Sequence, residues 1–441
     1  MAAAASCSAA AQRLRAGAAT LHAIRDTMSE LLAGAQPLAI EQLAEFTAGL
    51  RHPQADPRPG ILLMGGPPST GKTTSAMCIA ECLNSPDGRI PSDCPNFNDF
   101  YTRPFFCAIK CQNYNTQAVH KVAADIVAAI QKLYESEQRP AGEAKRRELD
   151  TEAPDLDELL RMDGAMAQEA EHLALTASPK RMVFFFDEFE RLGGPLRDDM
   201  PDKNPYVYTS LMSFWNGGVV TFEGKEYRCP PGWEPVILIA TNLCAADFTF
   251  DAGQECARNR SKYEALVLKL ETFVKNRLLG ARSGDTALAT RIIGQTALFF
   301  AYSEEQCKRI ISRFFQQLAA GHERERKYPV LFDLCTVEDA ANQMAQGDVE
   351  KTVRELERQW ITHVNSAFSH FDITIPNDMN SDTAICLSLR VDGHGRLVPR
   401  FQVAVDAKVR LRFLFGDERR ARRGNIRERM WLMDPCACLC A

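Results

Sequence analysis

Short apolar runs alternate with longer amphipathic segments over the first two thirds of the chain. The runs have the length and the β-branched and aromatic content of buried strands, and they are Ile61–Met64, Phe105–Ile109, Met182–Phe186 and Pro235–Ala240. Between them, apolar residues recur at helical spacing in Gln12–Gly49, Thr73–Leu83 and Thr116–Tyr134. Continuous apolar strands that alternate with helices are typical of a parallel sheet buried on both faces. The pattern therefore predicts an α/β fold in which helices cover both faces of a parallel sheet.

Beyond Leu268 the pattern becomes mostly helical and then changes to short strands. Helices are predicted at Ser303–Leu318, Val337–Gln346 and Val349–Phe368, and strands at Asp372–Pro376, Ala384–Val391 and Leu397–Val405. The turn-forming pair Asp392-Gly393 joins the last two strands. This succession predicts a smaller domain that follows the main sheet.

Changes in composition divide the chain into segments. Residues 1–51 form an N-terminal helical segment, and a proline-rich hinge begins the large domain of residues 52–285. Within that domain the apolar signal stops near residues 135–178, where clustered charges predict a surface insertion. The smaller domain takes residues 286–406, with strands at its end, and residues 407–441 form a basic tail that ends in cysteines.

Composition and charge are those of an ordinary globular protein. Of 441 residues, 45% are hydrophobic and 25% are charged, and the net charge of −5 argues against a surface built throughout for nucleic acid. No apolar run approaches the length that crosses a bilayer, so no transmembrane segment is expected. The 15 cysteines are mostly scattered and show neither Cys-x-x-Cys nor His-Glu-x-x-His spacing. We therefore expect reduced thiols in the cytoplasm or the nucleus, and no zinc site. The alanine-rich N-terminus leaves an organelle transit peptide as the alternative.

The segment that follows the first apolar run is rich in glycine and has the spacing Gly66-x4-Gly71-Lys72-Thr73 of a phosphate-binding loop. Glycines allow successive backbone N–H groups to point into one concavity, and the next helix directs its positive N-terminus at a bound anion. Lys72 can reach the β- and γ-phosphates, and Thr73 can place its hydroxyl on Mg²⁺. The residues predicted to contact the phosphates are Gly66, Pro67, Pro68, Ser69, Thr70, Gly71, Lys72, Thr73 and Thr74.

Two later strands end in residues that suit hydrolysis. The run Met182–Phe186 is followed by Asp187 and Glu188, and ligands bind at the carboxyl ends of strands in parallel sheets. Asp187 is therefore a candidate ligand of Mg²⁺, and Glu188 is a candidate base that polarises a water for attack on the γ-phosphate. The next strand ends in Thr241 and Asn242, and the uncharged amide can hold the attacking water without competing for the metal.

Together these segments resemble the Walker A, Walker B and sensor 1 elements of an AAA+ ATPase. Leu211–Thr221 and Gly224–Tyr227 are similar to the helix, glycine turn and short β-excursion of the Clp-type branch, which includes protein disaggregases and the torsins. The resemblance implies a P-loop NTPase sheet with a smaller lid domain, ATP and Mg²⁺ as ligands, and assembly into a homo-oligomeric ring, expected to be a hexamer. It also implies that Arg291 reaches the γ-phosphate bound by a neighbouring subunit, with Arg282 as the rival for that role.

Two elements of this branch depart from the family pattern. The segment Gly347–Arg354 has the start of a sensor 2 helix but lacks the usual arginine, so Lys351 and Arg354 are the alternatives. Threading unfoldases carry an aromatic residue followed by a small apolar residue and glycine in a loop that faces the pore. Here Tyr114 lacks that glycine. Lid closure on the nucleotide is therefore expected to be weaker, with turnover that is low or dependent on a partner, and threading of the usual kind is not expected.

The ordered motifs predict an ATP hydrolase of the AAA+ class that remodels a protein partner in a ring, with Glu188, Asn242 and Arg291 as catalytic residues. The sequence does not identify the client. A nucleotide-dependent assembly or binding switch with low turnover is the first alternative. A motor that acts on nucleic acid is the second, and only the basic run Lys408–Arg429 supports it. The end Cys436–Ala441 leaves open a lipid anchor or a disordered basic tail.

Overall fold

The computed structural model describes residues 20–30, 32, 35–51, 58–85, 88, 103–111, 118–138, 180–192, 208, 210–278, 292–303, 305–307 and 309–310. It also describes residues 330–332, 384–391 and 397–404, and for these and for residues 118, 138, 277 and 278 the backbone alone. The chain divides into two compact units, Met1–Phe300 and Ala301–Ala441.

The first unit contains helices and strands in alternation. Its helices are α1 (residues 20–30), α2 (Pro37–Leu50), α3 (Lys72–Asn84), α4 (Ala118–Gln138), α5 (Met212–Gly217), α6 (Phe250–Arg258) and α7 (Arg260–Phe273). Its strands are β1 (Gly60–Gly65), β2 (Phe106–Lys110), β3 (Lys180–Asp187), β4 (Val220–Phe222), β5 (Lys225–Tyr227), β6 (Trp233–Thr241) and β7 (Gln295–Leu298). Among the described residues, no helix combines the length and the apolar character that crossing a bilayer requires.

Five parallel strands form the central sheet of this unit, in the order β2-β3-β6-β1-β7. In the middle of the sheet, Val183–Phe186 of β3 and Ile237–Ala240 of β6 are completely buried. A parallel strand that is covered on both faces needs apolar side chains on both faces, which explains the continuous apolar runs. At the carboxyl edge, Gly65 of β1 lies opposite Thr241 of β6 and Leu298 of β7. The loops that follow these strands therefore start close together.

Side chains of the sheet alternate between two apolar cores, one on each face. Phe184 and Phe186 of β3 pack in the core that α4, α5 and α7 complete. Val183 and Phe185 pack in the core that α1, α2 and α3 complete. Each fully buried side chain of this size contributes about 1.5–3 kcal/mol relative to an exposed one. The predicted α/β fold, a parallel sheet with helices on both faces, is confirmed.

The N-terminal helices pack on the sheet of the first unit. Met28 of α1 and Leu43 of α2 are completely buried and share a core with Leu62 of β1. The helical pattern predicted without a break over Gln12–Gly49 is interrupted, because α1 ends at residue 30 and α2 begins at Pro37. Proline has a fixed φ and no N–H, so it suits the first turn of a new helix. Residues 12–19 lie outside the described residues.

Two boundaries differ from those expected from the sequence. Residues 286–406 were assigned to the smaller domain, whereas β7 pairs with β1 and the first unit extends to Phe300. Helix α4 continues to Gln138, so the charged insertion predicted near residues 135–178 begins as helix. The part of the insertion from 139 to 178 lies outside the described residues.

The predicted helix, glycine turn and short β-excursion are present before β6. Helix α5 ends at a glycine turn, where Gly218 has a φ of 64° and a ψ of 21°, and the antiparallel strands β4 and β5 follow. A Cβ at Gly218 would lie 2.3 Å from Cγ of Pro235, so both the backbone angle and the close approach require glycine there.

The second unit contains a three-stranded sheet in the order β10-β9-β8, formed by β8 (Val330–Phe332), β9 (Ala384–Val391) and β10 (Leu397–Ala404). Strands β9 and β10 are antiparallel and confirm the two predicted strands, whereas β8, parallel to β9, was not predicted. Residues 305–307 and 309–310 are helical, in agreement with the start of the predicted helix Ser303–Leu318. Further predicted elements lie outside the described residues: Val337–Gln346, Val349–Phe368, Asp372–Pro376 and the turn Asp392-Gly393.

Candidate functional site

The glycine-rich loop connects β1 to α3 at the carboxyl edge of the sheet. The N–H of Gly66 donates to the carbonyl oxygen of Thr241 at 3.2 Å, and the N–H of Phe299 donates to that of Gly65 at 2.8 Å. A Cβ at Gly66 would lie 2.4 Å from the carbonyl oxygen of Phe299. The loop therefore starts in the narrow space between the ends of β6 and β7, where only glycine fits.

The other end of the loop opens into helix α3. Gly71 precedes the helix with a φ of 96° and a ψ of 9°, a left-handed conformation that glycine adopts without strain. The N–H and the hydroxyl of Ser75 both donate to the carbonyl oxygen of Gly71, at 2.8 and 2.9 Å, and close the first turn. The first N–H groups of a helix lack intrahelical partners, and Gly71 has no side chain with which to cap them. The helix end is therefore suited to an anion.

The ammonium group of Lys72 lies at the centre of the site. Its Nζ donates to the carbonyl oxygens of Gly66 and Pro67 at 2.7 and 2.6 Å, and to Oδ1 of Asn242 at 3.0 Å. Lys72 is buried, so these oxygens replace much of the water that an ammonium group would otherwise bind. The cation is held beside the loop rather than extended into solvent.

The remaining residues of the loop keep it compact. The hydroxyl of Thr70 donates to the carbonyl oxygen of Pro67 at 2.8 Å. Ser69 has a φ of 60°, in the left-handed region. The other predicted contacts, Pro68 in the loop and Thr73 and Thr74 in the first turn of α3, are partly exposed.

The tip of β3 carries the two predicted acids in different backbone conformations. Asp187 is the last residue of the strand, and its Oδ1 accepts from the N–H of Glu188 at 3.1 Å. Glu188 has a φ of 53° and a ψ of 49°, a left-handed conformation that costs a residue with a side chain about 1–2 kcal/mol. Its Oε2 lies 3.4 Å from Nε of Arg191. Such strain is typical of functional positions that the surrounding structure holds in place.

The tip of β6 is held by a carboxylate that follows β3. Oε2 of Glu190 accepts from the hydroxyl of Thr241 at 2.8 Å, and Oε1 accepts from Nδ2 of Asn242 at 3.2 Å. Both carboxylate oxygens lie 3.3 Å from the backbone nitrogen of Asn242. Asn242 therefore contacts Lys72 through Oδ1 and Glu190 through Nδ2.

Buried aromatic rings support the turn Phe189–Arg191, which carries this carboxylate. Phe189 is completely buried, and its ring centroid lies 4.9 Å from that of Tyr208 and 6.2 Å from that of Trp215. The hydroxyl of Tyr208 donates to the carbonyl oxygen of Phe189 at 3.3 Å. Nε1 of Trp215 donates to the backbone carbonyl oxygen of Tyr208 at 2.8 Å. Burial, Cys111 and Glu190 together raise the pKa of Tyr208, so the phenol stays neutral beside the carboxylate.

The structure thus joins three segments that are far apart in the sequence. Lys72 of the loop contacts Asn242 after β6. Asp187 ends β3, which lies beside β6 in the sheet, and Glu188 follows it. Other predicted site residues lie outside the described residues, namely Arg291, its rival Arg282, Lys351, Arg354 and Tyr114.

Sequence reasoning missed Glu190 and Arg191. Both lie in the 3₁₀ turn that follows β3, and the sequence from Asp187 to Arg191 is Asp-Glu-x-Glu-Arg. An acid two positions after Glu188 was the available signal. Its partners at the tip of β6 become visible only in the folded chain.

The residues present fit a magnesium ion bound together with phosphates. Asp187 and Thr73 provide a carboxylate and a hydroxyl, the hard oxygen ligands that Mg²⁺ takes, and substrate phosphates commonly supply further ligands. Within the described part of the chain, no cluster of three or more His, Cys, Asp or Glu side chains could hold a metal.

The cysteines whose side chains the structure describes are free thiols. Cys78 and Cys82 lie on α3, as predicted, with their sulfur atoms 4.0 Å apart. The hydrogen bond to Cys82, together with burial, raises the pKa of Cys78 well above its ordinary value. These thiols belong to the core beneath the loop.

Comparison with known proteins finds a similarity of fold. The chain matches Saccharomyces cerevisiae Hsp104 in complex with ADP at 16% identity and a TM-score of 0.51, over 86% of this chain and 52% of that chain. It also matches a closed state of Hsp104 with ATPγS and FITC-casein at 15% identity and a TM-score of 0.46, over 87% of this chain and 51% of that chain. This chain therefore spans about half the length of the structures that it matches.

Neither a protein-family model nor a curated protein matches the sequence. At 16% identity the likeness to the Hsp104 structure establishes the fold alone. It confirms the predicted α/β fold, in which helices cover both faces of a parallel sheet.

Proposed function

We propose that this chain is an AAA+ ATPase of the Clp-type, torsin-like branch that couples ATP hydrolysis to the remodelling of a protein partner. The observation that carries the proposal is the contact of 3.0 Å between Nζ of Lys72 and Oδ1 of Asn242, which are 170 positions apart. Lys72 is predicted to reach the β- and γ-phosphates, and Asn242 is predicted to hold the water that attacks the γ-phosphate. The contact is what a shared phosphate site requires.

Lys72 is the side chain that would bind the γ-phosphate. Its ammonium group already lies between two loop carbonyl oxygens and Asn242, and phosphate oxygens are stronger, charged acceptors. The backbone N–H groups of the loop and of the first turn of α3 would bind the other phosphate oxygens. The structure of similar fold is a complex of Hsp104 with ADP, which agrees with a nucleotide as the ligand.

Thr73 and Asp187 are the residues that would hold Mg²⁺. The ion supplies positive charge that neutralises the phosphate oxygens and makes the γ-phosphorus more susceptible to attack. Both residues lie at the carboxyl edge of the sheet, the edge at which ligands bind in parallel α/β sheets.

Glu188 is the proposed general base, because it follows the tip of β3 and its backbone is held in a left-handed conformation. It would take a proton from the attacking water. Arg191, 3.4 Å from Oε2, limits where that carboxylate can point. Asn242 would orient the water through its amide, and Arg291 would act on the γ-phosphate of the neighbouring subunit.

Arg291 defines the form of assembly in this proposal. A finger supplied by a neighbour needs an adjacent subunit. The assembly that we propose is a ring, expected to be a hexamer of identical chains, in the cytoplasm or the nucleus. The client is a protein whose identity is open. A capture with the Glu188→Gln variant, which should hold ATP and client together, would identify it.

The test compares ATP binding and ATP turnover in purified variants. Lys72→Ala removes the phosphate-binding cation, so we expect it to lose affinity for a fluorescent ATP analogue. Glu188→Gln keeps the shape of the side chain, so we expect it to bind ATP as the wild type does and to release phosphate at least about a hundredfold more slowly.

Glu226→Gln is the matched control, because Glu226 is an exposed acid on β5 that forms an ion pair with the exposed Arg228. Its turnover should equal that of the wild type. A Glu188→Gln rate equal to the wild-type rate would contradict the role given to Glu188, and absence of ATP binding by the wild type would contradict the proposed function.

A nucleotide-dependent switch is the alternative that one observation favours. The ion pair between Glu188 and Arg191, if it persists with ATP bound, would make the carboxylate a weaker base and turnover slow. Turnover measured against protein concentration, with and without candidate partners, separates the two functions. Negligible turnover despite ATP-dependent assembly would favour the switch.

A further inference from the structure

We propose that Glu190 is a positioning residue that fixes the orientation of the Asn242 side-chain amide, with Oδ1 toward the phosphate loop and Nδ2 away from it. The inference rests on the proposed function, because it concerns how the same site holds its attacking water. It assigns a role to an acid that is separate from the predicted metal ligand and base.

Glu190 binds the tip of β6 through several donors at once. The hydroxyl of Thr241, the side-chain nitrogen of Asn242 and the backbone N–H of Asn242 all lie within 3.3 Å of its carboxylate oxygens. The hydroxyl oxygen of Thr241 in turn accepts from the N–H of Leu243 at 3.2 Å. A carboxylate that accepts several hydrogen bonds from two consecutive residues holds both of them in one arrangement.

The charges on either side of the Asn242 amide allow only one orientation. A carboxylate can only accept hydrogen bonds, and an ammonium group can only donate them. With Nδ2 toward Glu190 and Oδ1 toward Lys72, both contacts are hydrogen bonds. A rotation of the amide by half a turn would bring oxygen against carboxylate and nitrogen against ammonium, and both contacts would become repulsive.

The turn that carries Glu190 is itself fixed. The left-handed conformation of Glu188 reverses the chain after β3, and the N–H of Arg191 donates to the carbonyl oxygen of Glu188 at 2.8 Å. Phe189, between the two acids, is buried among aromatic rings. The turn thereby gives its two acids different partners, since Glu188 pairs with Arg191 and Glu190 binds the tip of β6.

This arrangement has a consequence for hydrolysis. When Lys72 bonds to phosphate oxygens, Oδ1 of Asn242 keeps its direction, because Glu190 still holds Nδ2. The group that Asn242 presents is then a hydrogen-bond acceptor, which can bind a hydrogen of the attacking water and leave a lone pair for the phosphorus. Without Glu190 the amide can rotate and offer Nδ2 to the phosphate instead, which binds substrate without orienting water.

The experiment measures kcat and KM for ATP in Glu190→Gln, in Asn242→Ala and in the double variant. Removing the charge should lower kcat by about tenfold to a hundredfold, the effect of a lost hydrogen bond to a charged group, and should change KM by less than about twofold. In the Asn242→Ala background the same change at Glu190 should have almost no further effect, because the two residues act through one amide. Glu190→Asp keeps the charge with a shorter reach, so it should lose less kcat than Glu190→Gln.

A second readout is independent of turnover. Hydrogen–deuterium exchange at the backbone N–H of Asn242 should become faster in Glu190→Gln, because that N–H faces the carboxylate. The exposed control Glu226→Gln should change neither this exchange nor kcat.

The outcomes separate the inference from the proposed function. An unchanged kcat in Glu190→Gln, additive losses in the double variant, or unchanged exchange at Asn242 would overturn the inference while leaving an active ATPase. Absence of ATP hydrolysis by the wild type would overturn the proposed function and this inference with it. A kcat loss that vanishes in the Asn242→Ala background, together with faster exchange, supports both.

Discussion

Replacing Gly66 by alanine tests directly how the phosphate loop is built. An ideal Cβ at this position lies 2.4 Å from the carbonyl oxygen of Phe299, whereas ordinary van der Waals contact begins at 3.4 Å. The Phe299 backbone would therefore have to move by about 1 Å. It cannot do so freely, because its N–H donates to the carbonyl oxygen of Gly65 at 2.8 Å.

The next residue is also held. Nε2 of Gln36 donates to the carbonyl oxygen of Phe300 at 2.7 Å, and Oε1 of Gln36 accepts from the N–H of Phe300 at 3.1 Å. Overpacking at such a site costs about 1–3 kcal/mol, and each of these hydrogen bonds that breaks adds about 1 kcal/mol. We expect Gly66→Ala to lower the free energy of unfolding by about 2–4 kcal/mol and to weaken ATP binding, because the loop is displaced.

The assay is equilibrium unfolding in urea, followed by circular dichroism, with Gly49→Ala as the matched control. Gly49 lies in α2, and apart from its own helix backbone no atom lies within 4 Å of the position that a Cβ would take there. Alanine should therefore raise the free energy of unfolding by about 0.5–1 kcal/mol. The same chemical change is thus expected to have opposite signs at the two positions. An unchanged midpoint for Gly66→Ala, or a shift of the same sign and size in both variants, would refute the reasoning.

Two further predictions concern backbone strain and pH. Because the backbone of Glu188 is left-handed, the free energy of unfolding of Glu188→Gly should be about 1 kcal/mol higher than that of Glu188→Gln. Both variants should hydrolyse ATP much more slowly than the wild type, and equal urea midpoints for the two would contradict the strain. Burial raises the pKa of Cys107 and Cys229 from 9.0, and that of Tyr263 from 10.0, to about 12. The unfolded chain therefore loses these protons first, so the free energy of unfolding should be maintained below pH 9 and should fall as the pH rises toward 12. Urea midpoints over this range should fall less steeply for Cys107→Ala, and equal slopes would show that the buried thiol contributes nothing.

The fold was predictable where burial alone determines the residue pattern. Strand β3 is covered on both faces, so Met182–Phe186 are apolar without interruption, and Asp187 and Glu188 follow them. The glycine spacing marks the loop for a similar reason, since Gly66 and Gly71 meet steric and backbone demands that other residues cannot meet. Local physical requirements of this kind leave a direct trace in the sequence.

Contacts between distant segments left no such trace. The sequence placed β7 in the smaller domain, whereas β7 pairs with β1 and Leu298 lies opposite Gly65. No local pattern reveals a pairing between residues so far apart in the sequence. The bond of Glu190 to Thr241 and Asn242 escaped notice for the same reason, because an acid after a strand is common in solvated turns. The role of Arg291 stays a prediction, since that residue lies outside the described part of the chain.

We propose above all that Lys72, Asp187, Glu188 and Asn242 form one site that hydrolyses ATP. The most direct measurement follows radiolabelled ATP bound to the wild type and to Glu188→Gln in a single turnover, and determines whether the bound nucleotide is ATP or ADP. We predict that the wild type converts its bound ATP to ADP, whereas Glu188→Gln retains it as ATP. Conversion at the same rate in both proteins, or no conversion in the wild type, would contradict the claim.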